Sequence, residues 1–359
     1  MKRGVVAGLL LLTLPLSACE ERKKLLYFGW AESDTAFLRR HVREMEKSPF
    51  DGLVLHASTR AGESLTWKAW GRRAFRPEEL APALEDLKAT RTRRLRHNFL
   101  RLNTTPADID WFDDFGAVLA NARLAASIAR EGRCVGILLD TEQYEGQLFD
   151  YARQRDAARR SWVEYAAQAR RRGREYMQAL QAGYPRLTVF LTFGHTLPYG
   201  LMRRDGKPLP EVSYGLLVPF LDGMIEGARK GRFVDGCELS YGWREPQLFA
   251  SGRQAIHARV LERVADPRKY ARVVSAGFGI WIDYDWRRLG WNAEDPSANY
   301  FSPERLEASV RAALANADEY VWIYSETPRW WSPQGGPVSL PPAYDLALRR
   351  AREKADASR

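Results

Sequence analysis

Two carboxylates, Asp140 and Glu142, stand at the end of an apolar run over 135–139, VGILL. A short run rich in Val, Ile and Leu reads as a strand covered on both faces. Side chains alternate along a strand, so Asp140 and Glu142 share a side. Carboxylates withdrawn from water are costly unless they are paired or used. Two set close together push their pKa values apart, which leaves one as an acid and the other ionised. This is the equipment for cleaving a bond to a leaving oxygen. One carboxyl protonates that oxygen, and a second serves as nucleophile or as base for water.

Other strand-like runs end in a similar way. The first delivers Trp30, the second His56, Ser58 and Arg60, and the third Asn103. Tyr144 follows the carboxylate pair, and the fifth run brings Thr192, His195 and Thr196. The sixth ends in Glu238, Ser240, Tyr241 and Trp243, and the seventh in Trp281, Asp283 and Asp285. The eighth ends in Trp322, Tyr324 and Glu326, with Trp330 and Trp331 just beyond. Indole and phenol rings pack on the C–H faces of sugars, and fixed polar groups meet the hydroxyls. The expected catalytic set is Glu142 and Asp140, with Glu326 or Asp283 as the opposing carboxylate. Trp30, Asn103, Tyr144, His195, Glu238, Tyr241, Trp281, Trp322, Trp330 and Trp331 are expected to bind substrate.

These residues need a scaffold that gathers strand ends. The pattern predicts strands over 25–30, 51–58, 98–103, 135–139, 187–193, 234–241, 273–283 and 319–324. Helical periods fall between them, over 33–46, 77–87, 115–131, 156–182, 216–230, 254–264, 267–272 and 303–315, with a closing helix over 343–354. Asp34 and Ser302 are placed to cap two of them. Eight strands alternating with helices predict a single-domain α/β fold, the (β/α)8 TIM barrel, whose sites lie at the strand C-termini. A doubly wound open sheet would announce itself by a Gly-rich first turn, and none follows Trp30. The 359-residue chain is long enough for one such core.

With these residues in view, the chain from Leu25 to Lys354 resembles the (β/α)8-barrel glycoside hydrolase superfamily. Its nearest local likeness is to the chitinase-like family, whose fourth strand carries D-G-x-D-x-D-x-E. Residues 135–142 here read V-G-I-L-L-D-T-E, so Gly136, Asp140 and Glu142 match while Val135 and Leu138 replace two aspartates. The resemblance implies that Glu142 is the acid, that Asp140 orients the substrate, and that Tyr241 assists. A non-catalytic carbohydrate-binding barrel is the alternative, because barrels host many functions.

No H-E-x-x-H or paired-histidine spacing occurs, and no G-x-S-x-G elbow is present. No metal or cofactor is expected; His56 and His195 could meet Asp140 only if all three reach the barrel mouth. The formal net charge is +10, concentrated in Arg-rich segments such as 91–96 and 167–174. Without a base-reading motif this indicates solvated helix faces rather than a nucleic-acid partner.

The N-terminus has a charged start at Lys2 and Arg3, an apolar stretch over 4–16, and then Leu16-Ser17-Ala18-Cys19. This resembles the bacterial lipoprotein signal, with residues 1–19 ending at a lipidated Cys19 and the barrel domain over 20–359. The resemblance implies a lipid-anchored protein of the bacterial envelope, facing the periplasm or the surface. Glu20, where an aspartate would favour the inner membrane, leans toward the outer one. Cys134 and Cys237 lie in apolar runs and are expected as buried free thiols.

Overall fold

A computed structural model describes residues 22–30, 32–285, 287–332, 338 and 340–357. The proposed lipidation site, Cys19, lies outside the described residues. Nine parallel strand segments form one sheet: β1 (Lys24–Gly29), β2 (Gly52–Leu55), β3 (Phe99–Asn103), β4 (Gly136–Asp140), β5 (Thr188–Leu191), β6 (Arg232–Asp235), β7 (Val274–Ala276), β8 (Phe278–Trp281) and β9 (Tyr320–Ser325). Their spatial order is β7-β6-β5-β4-β3-β2-β1-β9-β8. The two ends of that order are consecutive in the chain, joined by Gly277 alone. The sheet therefore closes on itself through a seventh strand position that is divided in two. β7 pairs with β6, and β8 pairs with β9. Gly277 donates to the Asp235 carbonyl at 2.8 Å, and a Cβ there would lie 2.9 Å from Val234 Cγ1.

Helices cover the outside of this cylinder, as the alternating sequence pattern predicts. Asp34 caps the helix Thr35–Met45 by accepting from Phe37 N at 2.6 Å. The long helix begins at Trp162 rather than 156, because Ser161 and Glu164 form a reciprocal capping box. The expected sixth strand over 234–241 is cut short at Asp235. Cys237 takes a left-handed conformation at φ 44°, and Glu238–Ser240 turn as a 3₁₀ helix. The expected helix over 254–264 instead spans Pro246–His257, followed by the turn Arg259–Glu262. Among the described residues, no helix is long and apolar enough to cross a membrane. Cys134 and Cys237 are buried and unbridged.

Two apolar layers result. Leu25, Tyr27, Leu53, Leu55, Ile137 and Val189 face the helices. Leu26, Phe28, Val54, Phe99, Leu138, Phe190 and Trp322 fill the barrel. Trp322 fits because its sheet neighbour is Gly279, whose added Cβ would meet the indole at 2.6 Å. Burying a ring of that size stabilises the fold by on the order of 4 kcal/mol. Gly136 allows the closest approach in the sheet, since a Cβ there would lie 1.9 Å from the Thr188 carbonyl oxygen. Gly136→Ala is expected to cost about 3 kcal/mol by forcing β4 away from β5. A fall in the urea midpoint checks this; an unchanged midpoint would contradict the pairing described.

Candidate active site

The site begins with a cation inside the barrel. Phe99, Arg101 and Asn103 alternate on the inward face of β3, and Arg101 is only 1% exposed. Its Nη2 donates to Asp140 Oδ2 at 2.5 Å. Its Nη1 donates to both oxygens of Glu32, at 3.2 and 3.0 Å. The guanidinium carbon lies 4.7 Å from the Phe28 ring centre, 5.1 Å from Trp67 and 6.0 Å from Tyr144. Burial alone would lower the Arg101 pKa, but the Glu32 and Asp140 carboxylates outweigh it and raise the value.

Asp140 is wholly buried and its oxygens are fully occupied. Besides Arg101 it accepts from Tyr144 O–H at 3.0 Å, Thr192 O–H at 3.3 Å and Glu142 N–H at 3.1 Å. A carboxylate has about four acceptor positions, so Asp140 has none to spare for a ligand. Glu142 lies two residues beyond the strand, its backbone held by Asp140 and by the Thr104 hydroxyl on its carbonyl at 3.2 Å. Its carboxyl comes within hydrogen-bonding reach of Glu238, which the 3₁₀ turn after β6 swings inward.

This second pair resists ionisation. Burial raises the Glu142 pKa and the charge of Asp140 raises it further, against the opposing pull of Glu238, Arg101 and Tyr144. Burial raises the Glu238 pKa well above the ordinary range, and Glu142 adds to it. In such close contact each carboxyl opposes the ionisation of the other, and the two titrate together. The Glu238 Oε2 atom and both amide atoms of Asn103 are buried without a hydrogen-bond partner among the described residues. Buried polar atoms are seldom left so, and here they border the carboxyl pair and Asp140.

Aromatic rings line both sides. Trp30, half exposed, lies 6.2 Å from Trp67 and from Tyr144. On the other side Tyr241 stacks on Tyr324 at 5.3 Å and stands 5.8 Å from Trp281. The Tyr324 hydroxyl donates to Glu326 at 3.2 Å. Burial raises the Glu326 pKa. Asp283 accepts three N–H groups, from Trp281, Glu326 and Thr327, at 2.9, 3.1 and 2.8 Å. It ties β8 to the segment after β9, while Asp285 holds a turn through Gly290 N–H at 2.6 Å.

Four expected substrate contacts stand away from this mouth or beneath it. Trp322 is fully buried in the barrel and donates to the Gly236 carbonyl at 2.8 Å. Trp330 packs on Phe50 at 4.8 Å and donates to Asp345; Trp331 packs on Tyr27 at 5.0 Å and donates to Ser33. These two indoles join the layer between strands and helices because the chain turns back over β1 after Glu326. His195 is buried in the same layer, 3.1 Å from Asp222 and edge-on to Tyr270. It does not meet His56, which lies 3.9 Å from Glu32. Among the described residues, no group of three His, Cys, Asp or Glu is placed to hold a metal ion. Arg101, Glu32 and Trp67 complete the mouth and were not foreseen; the polar alternation of Arg101 and Asn103 along β3 was the available signal.

A closed parallel sheet, helices outside it and functional groups at the strand C-termini define a (β/α)8 barrel. No protein-family model matches the chain, and no curated protein matches it in sequence. Among solved structures it is similar to a GH5-4 broad specificity endoglucanase from an uncultured bacterium, at 12% identity and TM-score 0.47, covering 91% of this chain and 86% of that one. It is also similar to GH5_18 from Streptomyces cattleya in complex with GlcNAc, at 12% identity and TM-score 0.45, covering 94% and 82%. At such identity and overlap the fold is read from the sheet itself.

The carboxyl pair makes stability depend on pH. Below the ordinary value of 4.5, both the folded and unfolded chains carry the Glu238 proton, and the group contributes nothing. Above it the unfolded chain ionises while the folded one resists, so stability falls as pH rises toward the folded value. Glu238→Gln is therefore expected to stabilise the protein at pH 7 and to gain little at pH 4. Urea unfolding at the two pH values checks this. An equal effect at both would exclude the raised Glu238 pKa.

Proposed function

We propose that this barrel hydrolyses glycosidic bonds, with the proton held between Glu142 and Glu238 as its acid. One observation carries the reading: the Glu142–Glu238 carboxyl pair stands at the strand ends, beside the open aromatic wall of Trp30, Trp67 and Tyr144. Glu142, the less buried of the two, passes the proton to the leaving oxygen. The pair is then doubly charged, which favours the positive character that develops at the sugar carbon. Asp140 orients Glu142 through its backbone N–H rather than by touching substrate. Glu326, bonded to Tyr324, is the candidate for the opposing carboxylate.

The contact between Glu142 and Glu238 is shorter than the about 5 Å of retaining pairs or the about 6.5–9.5 Å of inverting ones. That observation favours a second reading, a carbohydrate-binding barrel without turnover. Screening the chain from Glu20 onward against chromogenic glycosides and polysaccharides separates the two. Glu142→Gln is expected to lower kcat by about 10²–10⁴-fold with folding intact. Binding of oligosaccharide with no turnover in the parent would leave the binding reading.

The same proposal places the protein in the bacterial envelope, lipid-anchored at Cys19, with the N-terminal motif as its support. Cys19→Ala is expected to move the protein from the membrane pellet to the soluble fraction. Retention in the pellet after a high-salt wash would count against the lipid.

A further inference from the structure

The end of the barrel opposite the mouth carries charge that the site does not use. Each segment leading into a strand crosses this end. Arg93 and Arg96 precede β3, Arg133 precedes β4, Arg186 precedes β5, and Arg229 and Lys230 precede β6. All six are exposed, and none forms an ion pair among the described residues. The contrast with the outer helix is sharp. There Arg170 pairs with Glu226 at 3.1 Å, and Arg171 and Arg172 pair with Glu175 at 2.9 and 2.8 Å.

The segments are fixed through their backbones, which leaves the charged ends free. Glu46 accepts from Arg93 N and Arg94 N. Gln181 accepts from Arg229 N at 2.8 Å and Lys230 N at 3.1 Å. Val135 N bonds the Asn98 carbonyl at 2.8 Å, which joins the β3 and β4 entries. The cations therefore form an arc over the entries of four adjacent strands, β3 to β6, at one end. The mouth end holds Glu32, Asp140, Glu142, Glu238, Asp283 and Glu326 around Arg101, with Arg244, Arg287 and Arg329 in the segments that leave β6, β8 and β9.

We propose that this basic rim docks on an anionic lipid surface, holding the barrel on a membrane with its mouth turned outward. Chain geometry supports the occupant as well as charge. β1 starts on this rim at Lys24, so the N-terminal segment leaves from it. Cys19 lies three residues before Arg22, within about 10 Å of extended chain. The charge argument stands without a lipid at Cys19. Each basic group close to an anionic surface adds about fivefold to partitioning, and salt screens the effect.

The test uses the chain from Glu20, which lacks the lipid and contains every strand. Co-sedimentation with phosphatidylglycerol vesicles is expected, with release by about 0.5 M salt and no binding to phosphatidylcholine vesicles. Inorganic phosphate at matched concentration should not compete. Changing Arg93, Arg96, Arg229 and Lys230 together to Gln is expected to lower partitioning about a hundredfold or more. Arg170→Gln with Arg171→Gln should leave it unchanged. Equal binding to both vesicle types, or full binding by the fourfold variant, would overturn the proposal. So would a DNA fragment that binds the rim more tightly than the vesicles do. If the fourfold variant does not fold, the lipid and salt comparisons on the parent decide. Cys19→Ala reads the anchor separately, so either proposal can fail alone.

Discussion

A guanidinium buried where a barrel would ordinarily place an aliphatic side chain governs the whole mouth. Taking Arg101 out of water costs several kcal/mol, which only close opposite charge and complete hydrogen bonding can offset. Glu32 supplies one carboxylate from the segment after β1, and Asp140 supplies the other from the end of β4. The rings of Phe28 and Trp67 cover what remains. Three neighbouring elements are thus tied to a single cation, and removing any one charge strands the others. The resistance of the second pair to ionisation follows from this. The three charged groups sum to one negative charge beside Glu142, and burial forbids another. Ionisation of both Glu142 and Glu238 is therefore opposed, by burial and by the charge of Asp140.

The fold was legible because strands buried on both faces have a plain signature. Runs such as LLYFG and GILLD can be read directly, and their alternation with helical periods leaves few arrangements. What could not be read was where the chain leaves the sheet. VDGCELSY looks like a continuous strand, yet Gly236 and a left-handed Cys237 end it early and turn Glu238 toward the axis. That bend brings Glu238 to Glu142, a pairing between strands four and six that no local spacing encodes. The division at Gly277 is hidden in the same way. Only the closed sheet shows that one strand position must satisfy two neighbours of different slant.

The aromatic residues carry a second lesson. Trp330 and Trp331 follow a strand end closely enough to suggest a platform, but position in sequence does not fix the side of the wall. Asp345 and Ser33 offer their indoles hydrogen bonds in the outer layer, where burial also stabilises them. Trp67 lay in a long connection with no periodicity to mark it, and it is held at the mouth by Arg101 and Tyr144. For an indole, the deciding quantity is which side of the sheet provides both apolar contact and an acceptor.

Charge is sorted by the same topology. Every segment entering a strand lies at one end of the cylinder and every segment leaving lies at the other, so residues far apart in sequence are collected by role. The carboxylates collect where backbone N–H groups and Arg101 can hold them. The unpaired arginines collect where helices hand over to strands, and the backbone there is already satisfied by Glu46 and Gln181. Carboxylates at the strand-entry end are held in the same way, Asp51 by Leu25 N–H at 2.8 Å and Asp318 by Ala276 N–H at 2.7 Å.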